Sequence, residues 1–387
     1  MKKLKIGILT QPLHTNYGGL LQAYALQKVL KQMDFDSLII DRVTKDKFFL
    51  RKLLSIIKNL FLKIIGKNNG PIRKWTTKKE KSIIRKHTDK FIKEHIKTTE
   101  RIDSNKIDKI IKQYNFNAYI VGSDQVWRPK YSPNITNYFL DFINKDNNII
   151  RISYAASFGV DYWEFNPNIT NKIKKLIQKF DAISVREKSG LKLLEKHLNI
   201  HNAFHHIDPT LLLKKEEYIK IINEDKIIPS KKEGELLIYV LDKSKLTEVL
   251  INKITSELNL EPYKVGVENK YHEVGVKNIE KCIAPPVSSW LKGFMDAKYV
   301  ITDSYHGTIF SILFNKPFIS IANIDRGLTR FQSLLNKFNL EERLITSKND
   351  ISITLLRKKI DYSYVNNVID KEREKSFEFL RNYLTNK

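Results

Sequence analysis

Short apolar runs alternate with helix-like stretches along most of this chain, and the alternation occurs in two successive sets. In the first set, the strand-like runs occupy 5–10, 37–41, 118–122, 151–155 and 182–186, and the helix-like stretches occupy 19–33, 171–180 and 187–197. Alternating strands and helices are typical of parallel sheets that are covered by helices on both faces. The pattern therefore predicts a doubly wound α/β domain.

The second set begins after a polar stretch near 205–235. Its strand-like runs occupy 236–241, 263–267, 299–302 and 317–321, and its helix-like stretches occupy 245–258, 288–295 and 308–314. Two such sets predict an α/β fold of two doubly wound, Rossmann-like domains that face one another across a cleft. We assign 1–205 to the N-terminal domain, with a basic helical insertion at 45–100, and 206–360 to the C-terminal domain. A final helix within 361–387 is a candidate for packing back on the N-terminal domain.

Composition narrows the class of protein further. Hydrophobic residues make up 42% and charged residues 29% of the 387 residues, which excludes a disordered chain. Cys282 is the only cysteine, so an internal disulfide framework and a cysteine-based zinc site are excluded. No apolar stretch is long enough to span a membrane, and the apolar run after the basic N-terminus is shorter than that of a secretory signal. We therefore expect a cytoplasmic protein, with membrane association left open.

Positive charge is concentrated in the insertion. The whole chain carries a formal net charge of +25, from 68 Lys and Arg and 43 Asp and Glu. Between residues 45 and 100 there are 17 basic and 5 acidic residues, and 17 − 5 gives +12 for that segment alone. Within it, 48–65 reads FFLRKLLSIIKNLFLKII, the pattern of an amphipathic helix with a broad apolar face. This helix either packs on its own domain, the interpretation that we prefer, or makes a peripheral contact with the inner membrane face through 45–70.

Polar residues that follow the predicted strands are candidates for a functional site, because doubly wound domains bind ligands at the carboxyl ends of their strands. After the first strand, Asn16, Tyr17, Gly18 and Gly19 lead into a helix. Paired glycines let backbone amides approach a ligand, and a helix N-terminus favours an anion. The alternative interpretation is a tight strand-to-helix turn.

The later strands of the N-terminal domain are followed by further candidates. They are Ser123, Asp124, Gln125, Trp127 and Arg128, then Ser157 and Phe158, and then Arg186. Asp124 could accept a proton or orient a hydroxyl, and Trp127 could stack on a sugar; the alternatives are an Asx turn and a core tryptophan. The planar Arg186 guanidinium suits a carboxylate or a phosphate, and its alternative is a structural salt bridge.

The C-terminal domain contributes a second group of candidates. Ser304, Tyr305, His306 and Gly307 follow the strand at 299–302, and Arg326 and Arg330 follow the strand at 317–321. A histidine at a helix start beside a cleft can bind an anion or exchange a proton. The sequence contains no metal-binding HExxH, no Walker lysine and no GxSxG elbow, so we expect no metal. Across the cleft, these basic groups suit a small, multiply charged anion.

Read together, the motifs after these strands resemble the polysaccharide pyruvyl transferase family. They are NYGGLLQAYAL at 16–26, GSDQVW at 122–127, SYAASFG at 153–159, ISVREKSG at 183–190, DPTLLL at 208–213 and ITDSYHGTIFSILFNKPFI at 301–319, in the order that the family has them. The insertion at 45–100 and the C-terminal tail lie outside the resemblance. Other branches of the family carry an arginine where this chain has Ser304, so the chain resembles the DSYHG branch.

The resemblance implies a glycosyltransferase-B-like fold and transfer of a pyruvyl group from phosphoenolpyruvate to a sugar, with formation of a cyclic ketal and release of phosphate. The acceptor would be an oligosaccharide repeat unit of a cell-surface polysaccharide, such as a capsule or exopolysaccharide, which in the family is often lipid-linked. No cofactor is implied beyond phosphoenolpyruvate as the donor. His306 corresponds to the family's C-domain histidine, and Arg186 corresponds to its arginine after the ISVR strand.

On this hypothesis, Arg186 and either Arg326 or Arg330 hold the phosphate and carboxylate of the donor. His306 protonates the methylene carbon as the general acid, and Asp124 deprotonates the sugar hydroxyl. A glycosyltransferase of the same fold that uses a nucleotide sugar is the alternative function. Nucleic acid is not expected as a partner, because the chain has no helix-turn-helix, RRM or zinc-finger pattern.

Overall fold

Two parallel sheets form the framework of the protein. The computed structural model describes residues 3–43, 49–66, 70–103, 106–132, 134–143, 148–226, 234–242, 244–322 and 327–385. The strands are β1 (Lys5–Leu9), β2 (Asp36–Ile39), β3 (Arg42–Val43), β4 (Ile102–Asp103), β5 (Ala118–Val121), β6 (Ile150–Ser153), β7 (Ser184–Val185), β8 (Phe204–His205), β9 (Leu236–Tyr239), β10 (Pro262–Lys264), β11 (Tyr299–Thr302), β12 (Phe318–Ile321) and β13 (Leu344–Ile345).

Helices occupy the connections between these strands. They are α1 (Tyr17–Gln32), α2 (Phe49–Ile64), α3 (Lys78–Ile84), α4 (Lys86–His95), α5 (Ile107–Tyr114), α6 (Pro167–Ile177), α7 (Lys188–Leu193), α8 (Lys215–Glu224), α9 (Lys245–Leu258), α10 (Tyr271–Val274), α11 (Val287–Asp296), α12 (Tyr305–Leu313), α13 (Leu328–Lys337), α14 (Ile353–Arg357) and α15 (Tyr362–Thr385). None of the helices in the described ranges combines the length and the apolar character needed to cross a membrane.

The first sheet has the strand order β2-β1-β5-β6, and its neighbouring strands are parallel. The short strands β7 and β8 also pair in parallel. Isolated bridges from Ile152 to Ala182 and from Ala156 to Val185 join β7 to β6, so the sheet continues through β8. The residues of β5 and β6 are buried throughout, as expected for strands with helices on both faces.

The second sheet has the strand order β10-β9-β11-β12-β13, and its strands are again parallel. The strands β11 and β12 are buried along their whole length. The two sheets confirm the predicted fold class of two doubly wound, Rossmann-like units. In each unit, the loops that follow the strands lie at one edge of the sheet, as parallel pairing requires.

The C-terminal helix α15 extends across both units. Phe379 on this helix packs against Tyr154 and Phe204, with ring centroids 6.2 and 5.2 Å apart respectively. Arg373 donates from Nε to the Leu211 carbonyl at 2.7 Å and from Nη2 to the Leu213 carbonyl at 2.8 Å. The last helix therefore contacts the edge of the first sheet and the segment that connects the two sheets.

Three helices lie in the described residues of the basic insertion, and two of them pack on the body of the protein. In α3, Thr77 and Glu80 form a capping box, and the Glu80 carboxylate also accepts a hydrogen bond from the Tyr271 hydroxyl at 3.0 Å. In α4, Phe91 and Ile92 are buried in the core between the two sheets. These contacts fasten the second half of the insertion to both units.

The first helix of the insertion, α2, behaves differently. Phe61 is 62% exposed and Ile64 is 76% exposed, although the sequence suggested that the apolar face of this helix would be covered by its own domain. The preferred interpretation of a packed apolar face is therefore wrong for α2. The pattern alone could not decide this point, because a helix that hides its apolar stripe and one that displays it have the same periodicity.

Candidate active site

The carboxyl ends of the two sheets meet at a row of buried charges. Arg186, directly after β7, donates from Nη1 to Asp208 Oδ2 at 2.7 Å and from Nη2 to Asp124 Oδ1 at 3.3 Å. Asp208 Oδ2 lies 3.5 Å from Nε2 of His306, which belongs to α12 of the second unit. We call these four residues, Asp124, Arg186, Asp208 and His306, the charge row. Three of the four were predicted as site residues from sequence.

The charge row is shielded from solvent. The side chains of Arg186 and Asp208 are fully buried, and that of His306 is 9% exposed. Within the described part of the chain, His306 Nε2 has no hydrogen-bond partner that meets normal geometry. A buried ring nitrogen beside a carboxylate, with no hydrogen bond of its own, is placed for interaction with a ligand or for proton transfer.

Mutual charge neutralisation shifts the pKa values of the charge row. Burial alone would raise the pKa of Asp208, but His306 and Arg186 outweigh burial and hold that pKa well below its usual range. The pKa of Asp124 is lowered in the same way, with burial opposed by Arg186 and His306. Burial opposes the charge of Arg186, yet the surrounding Tyr305, Asp208 and Asp124 raise its pKa. Both carboxylates and the guanidinium are therefore ionised at neutral pH.

Tyr305 joins the charge row to a second arginine. The Arg186 guanidinium carbon lies 4.5 Å from the centroid of the Tyr305 ring, and that of Arg330 lies 5.3 Å from it. Arg330 is buried, and burial together with the nearby charge of Arg186 lowers its pKa to about 10. Both guanidinium groups therefore stay charged at neutral pH, and both lie over the Tyr305 ring. The structure brings together the predicted Arg186, Tyr305, His306 and Arg330.

The N-terminus of α1 lies directly against His306. An ideal Cβ built on Gly18 would overlap His306 Nδ1 and would lie 2.7 Å from the His306 Cβ. Asn16 caps this helix, and its Oδ1 accepts a hydrogen bond from the Gly19 amide at 3.3 Å. The close approach explains a glycine at position 18: any larger residue would displace the imidazole.

The start of α12 is held by local capping. Ser304 is the N-cap, and its hydroxyl accepts a hydrogen bond from the Gly307 amide at 3.2 Å. A Cβ on Gly307 would overlap the Thr302 hydroxyl, so this glycine permits the tight turn from β11 into α12. Ser304 and Gly307 were predicted to bind substrate, and their contacts here orient Tyr305 and His306 instead.

Asp124 adopts a φ of 68°, which is uncommon for a residue other than glycine. Its neighbour Gln125 donates its amide to Asp124 Oδ1 at 2.8 Å. The Gln125 side chain accepts a hydrogen bond from Arg128 Nη1 at 3.3 Å. Backbone strain of this kind is concentrated at functional sites, which agrees with the place of Asp124 in the charge row.

Four predicted ligand-binding side chains have structural partners instead. The Tyr17 hydroxyl donates to the Pro285 carbonyl at 3.0 Å, and its ring stacks on Trp290. The Ser123 hydroxyl donates to the Ala155 carbonyl at 2.7 Å. The other two are Trp127 and Arg128. The hydroxyls of Tyr17 and Ser123 are therefore satisfied within the protein, and substrate contact by these residues stays a prediction.

The indole of Trp127 is fully buried, stacks on Phe139 with centroids 5.3 Å apart, and donates from Nε1 to the Tyr138 carbonyl at 3.0 Å. No ring face is left for a sugar, so the predicted stacking of Trp127 is wrong and the core alternative holds. Arg128 is buried as well, and its Nε donates to Glu164 Oε2 at 3.2 Å. Arg128 therefore makes an internal ion pair.

Ser157 and Phe158 surround a carboxyl group that the sequence analysis did not select. Glu187 Oε1 accepts hydrogen bonds from the Ser157 hydroxyl at 3.0 Å, the Phe158 amide at 2.8 Å and the Gly159 amide at 3.2 Å. Burial raises the pKa of Glu187 despite the nearby Arg186 and Arg330. Ser157 and Phe158 thus position Glu187, and the predicted direct contact with substrate is not what their hydrogen bonds show.

Asp208 and Glu187 are buried acids of this site that the sequence analysis did not select. Each lies in a motif that was already singled out, DPTLLL for Asp208 and ISVREKSG for Glu187. For Glu187, the useful signal was an acidic residue two positions after the buried strand β7. Asp208 instead suggested only a break, because Asp-Pro is a common turn sequence and Asp208 does cap the short helix that follows it.

Two further points complete the site. Arg326 lies outside the described residues, so Arg330 is the one of the two predicted arginines whose place is known. Among the residues that the structure describes, no three His, Cys, Asp or Glu side chains come together in a way that could hold a metal ion. The groups available for chemistry at this site are the charged side chains, the His306 imidazole and the N-terminus of α1.

Fold and site together define an α/β protein with two Rossmann-like units and a buried, charged site between the carboxyl ends of its sheets. A family model described as polysaccharide pyruvyl transferase matches residues 16–326. The chain therefore belongs to the polysaccharide pyruvyl transferase family, and membership implies a transferase that acts on polysaccharides. Assignment to the DSYHG branch stays a prediction.

Solved structures support the fold. The chain is similar to S. aureus MnaA in a co-structure with UDP, with 11% identity, a TM-score of 0.52, and coverage of 99% of this chain and 97% of that one. It also resembles UDP-N-acetylglucosamine 2-epimerase from Rickettsia bellii, with 12% identity, a TM-score of 0.40, and coverage of 98% and 99%. At such identities the first likeness shows the fold alone, and the second carries no further argument. No curated protein matches the chain significantly.

Proposed function

We propose that this protein transfers the pyruvyl group of phosphoenolpyruvate to two hydroxyls of a sugar in a cell-surface polysaccharide repeat unit. The observation that supports this most is the charge row. With Tyr305 and Arg330 beside it, the charge row places a histidine and two arginines in one buried region of a chain that belongs to the pyruvyl transferase family. Phosphoenolpyruvate carries a phosphate and a carboxylate, and two guanidinium groups are suited to hold both.

In the proposed reaction, Asp208 holds His306 at Nε2, and Nδ1 faces the N-terminus of α1 beside Gly18. The protonated imidazole donates a proton to the methylene carbon of phosphoenolpyruvate, while the first sugar hydroxyl attacks the neighbouring carbon. Asp208 stays ionised throughout and stabilises the imidazolium, as a carboxylate behind a catalytic histidine does. Asp208 is therefore a positioning residue.

Asp124 receives the proton of the attacking hydroxyl. Its lowered pKa makes it a weak base, so proton transfer accompanies carbon–oxygen bond formation, when the hydroxyl becomes acidic. The bond from carbon to phosphate oxygen then breaks, and the departing phosphate takes the proton from Asp124. The second hydroxyl closes the ketal and returns a proton to His306, so both residues recover their starting states.

The test is phosphate release from phosphoenolpyruvate in the presence of a panel of lipid-linked oligosaccharides, with mass spectrometry of the product for one added pyruvyl ketal. We expect His306→Ala to lower kcat by about 100- to 10,000-fold, the usual contribution of general acid–base catalysis. The matched control is His201→Ala, because His201 is exposed and contacts only Asn199 among the described hydrogen bonds. Full activity of the His306 variant would refute its assignment as the acid.

The alternative, a glycosyltransferase that uses a nucleotide sugar, is favoured only by the likeness in fold to a UDP-bound protein. Calorimetric titration with phosphoenolpyruvate and with UDP separates the two hypotheses. Tight binding of UDP without binding of phosphoenolpyruvate would support the glycosyltransferase.

A further inference from the structure

One helix of the basic insertion displays its apolar face to solvent. The exposed apolar side chains of α2 and the residue that follows it are Leu54 at 64%, Ile57 at 56%, Leu60 at 45%, Phe61 at 62%, Ile64 at 76% and Ile65 at 43%. At 100° per residue these six positions fall within an arc of about 140°. They therefore form one continuous stripe, which we call the α2 stripe.

The opposite face of α2, which carries Ser55 and Asn59, is turned toward the protein. Asn59 is 5% exposed, and its Nδ2 donates to the Ile72 carbonyl at 3.0 Å and to the Ser55 hydroxyl at 3.4 Å. A helix that belongs to the core of its own domain is oriented the other way, with its apolar stripe inward. The orientation of α2 thus leaves a large apolar surface available to another body.

Charge indicates which body fits. Lys58 and Lys63 are exposed, and on the helical wheel they flank the α2 stripe on its two sides. The sequence from 49 to 66 contains four basic residues and no acidic residue. An apolar stripe bordered by lysines is the pattern of helices that lie on anionic lipid, with the stripe in the acyl boundary and the lysines at the phosphates.

We propose that α2 docks this protein on the surface of an anionic lipid bilayer, with the α2 stripe inserted and the helix axis parallel to the membrane plane. A helix of 16 residues is about 24 Å long, and none of the described helices can cross a membrane, so α2 lies on the bilayer rather than spanning it. The inference concerns binding alone and does not depend on the reaction proposed above.

A second copy of the chain fits the stripe less well. Symmetric pairing of two copies places the same surface patch of each against the other. Lys58 and Lys63, which border the α2 stripe of one helix, would then lie near the same two lysines of its copy, and residues 49–66 contain no acidic residue to balance them. Lipid phosphates supply the missing negative charge.

The test is flotation of the full chain with phosphatidylcholine vesicles that do or do not contain phosphatidylglycerol, at low and high salt. We expect binding to the anionic vesicles and a fall in the partition coefficient of roughly 100-fold or more for the triple variant Ile57→Ser, Phe61→Ser and Ile64→Ser. The matched control replaces Val249, Val267 and Val276 by serine. These three side chains are also exposed but lie outside the insertion, so this control should bind as the wild type does.

A charge-reversal pair tests the lysines separately. Lys58→Glu with Lys63→Glu should weaken low-salt binding to anionic vesicles by about tenfold or more, whereas Lys174→Glu with Lys175→Glu on α6 changes the net charge equally and should not. In addition, Phe61→Trp should give a blue-shifted emission on binding. Equal binding by the triple variant and the wild type would overturn the proposal. So would a wild-type dimer that ignores vesicles and becomes monomeric in the triple variant, since a second copy would then be the occupant.

Discussion

Gly18 at the start of α1 and His306 at the start of α12 lie so close that a Cβ on the glycine would overlap Nδ1 of the imidazole. The two residues lie on helices of different units, and their contact joins the two halves of the site. On the other side of the imidazole, Nε2 lies 3.5 Å from Asp208. His306 is therefore held between a helix N-terminus and a buried carboxylate, and this arrangement leads to the predictions that follow.

Gly18→Ala should lower activity by tenfold or more, because the added methyl group displaces His306 from its place. Overpacking costs about 1–3 kcal/mol, and the better helix propensity of alanine returns up to about 1 kcal/mol, so the loss of stability should be modest. Gly19→Ala is the matched control, since its Cβ would meet only the flexible Asn16 side chain at 3.1 Å. Turnover of the two variants measures the loss of activity, and their thermal unfolding measures the loss of stability. Equal activity would show that the contact has no role in catalysis.

Asp208→Asn should destabilise the protein by about 3–5 kcal/mol at pH 7, because it leaves the buried Arg186 without its closest counter-charge. The folded-state pKa of Asp208 is depressed, so its contribution is present above the unfolded value of about 3.9 and is lost as pH falls below it. The difference between variant and wild type should therefore shrink in acid. Urea unfolding from pH 3 to 7 measures it. Glu100→Gln, which removes an exposed acid, should cost less than about 1 kcal/mol.

Glu187→Gln should show the opposite dependence on pH. The folded-state pKa of Glu187 is raised by burial, so its contribution to stability is fully present below the unfolded value of about 4.3 and is lost as pH rises through the folded value. Glutamine keeps the acceptor for Ser157, Phe158 and Gly159 and has no charge to bury. Its stability relative to the wild type should rise between pH 4 and pH 8 in urea unfolding. The exposed Glu195→Gln serves as the control, and a parallel pH dependence for both variants would contradict the argument.

Arg330→Gln should raise the KM for phosphoenolpyruvate by about 10- to 100-fold, the effect of losing one charged hydrogen bond. Arg330 lies over the Tyr305 ring together with Arg186, and glutamine keeps a hydrogen-bond donor at that place, so folding should be affected less than binding. Phosphate release at varied donor concentration gives the KM, and thermal unfolding reports on the fold. Arg381→Gln on the exposed side of α15 is the control. An unchanged KM would remove Arg330 from the donor site.

The alternation of apolar strands and helices predicted both sheets and their parallel pairing, because that pattern depends on local periodicity. The rule that ligands bind at the carboxyl ends of parallel strands then selected the candidate site residues. The same rule selected Arg186 and Asp124, which the structure brings together in an ion pair. It also selected Trp127 and Arg128, which follow a strand equally closely but turn into the core. The position of a residue after a strand predicts where its backbone lies, whereas tertiary packing decides whether its side chain points into the site or into the core.

By itself, the sequence determined the two-domain α/β architecture and the family, and it selected Arg186 and His306 as candidate site residues. Only the tertiary structure decided that Asp208 links that arginine to that histidine, since residues 208 and 306 come together through the packing of two sheets rather than through any local pattern. It also decided which face of α2 is exposed. Hydrophobic periodicity predicts that a helix has an apolar and a polar face. Which face is buried depends on the neighbours that the rest of the chain places against the helix.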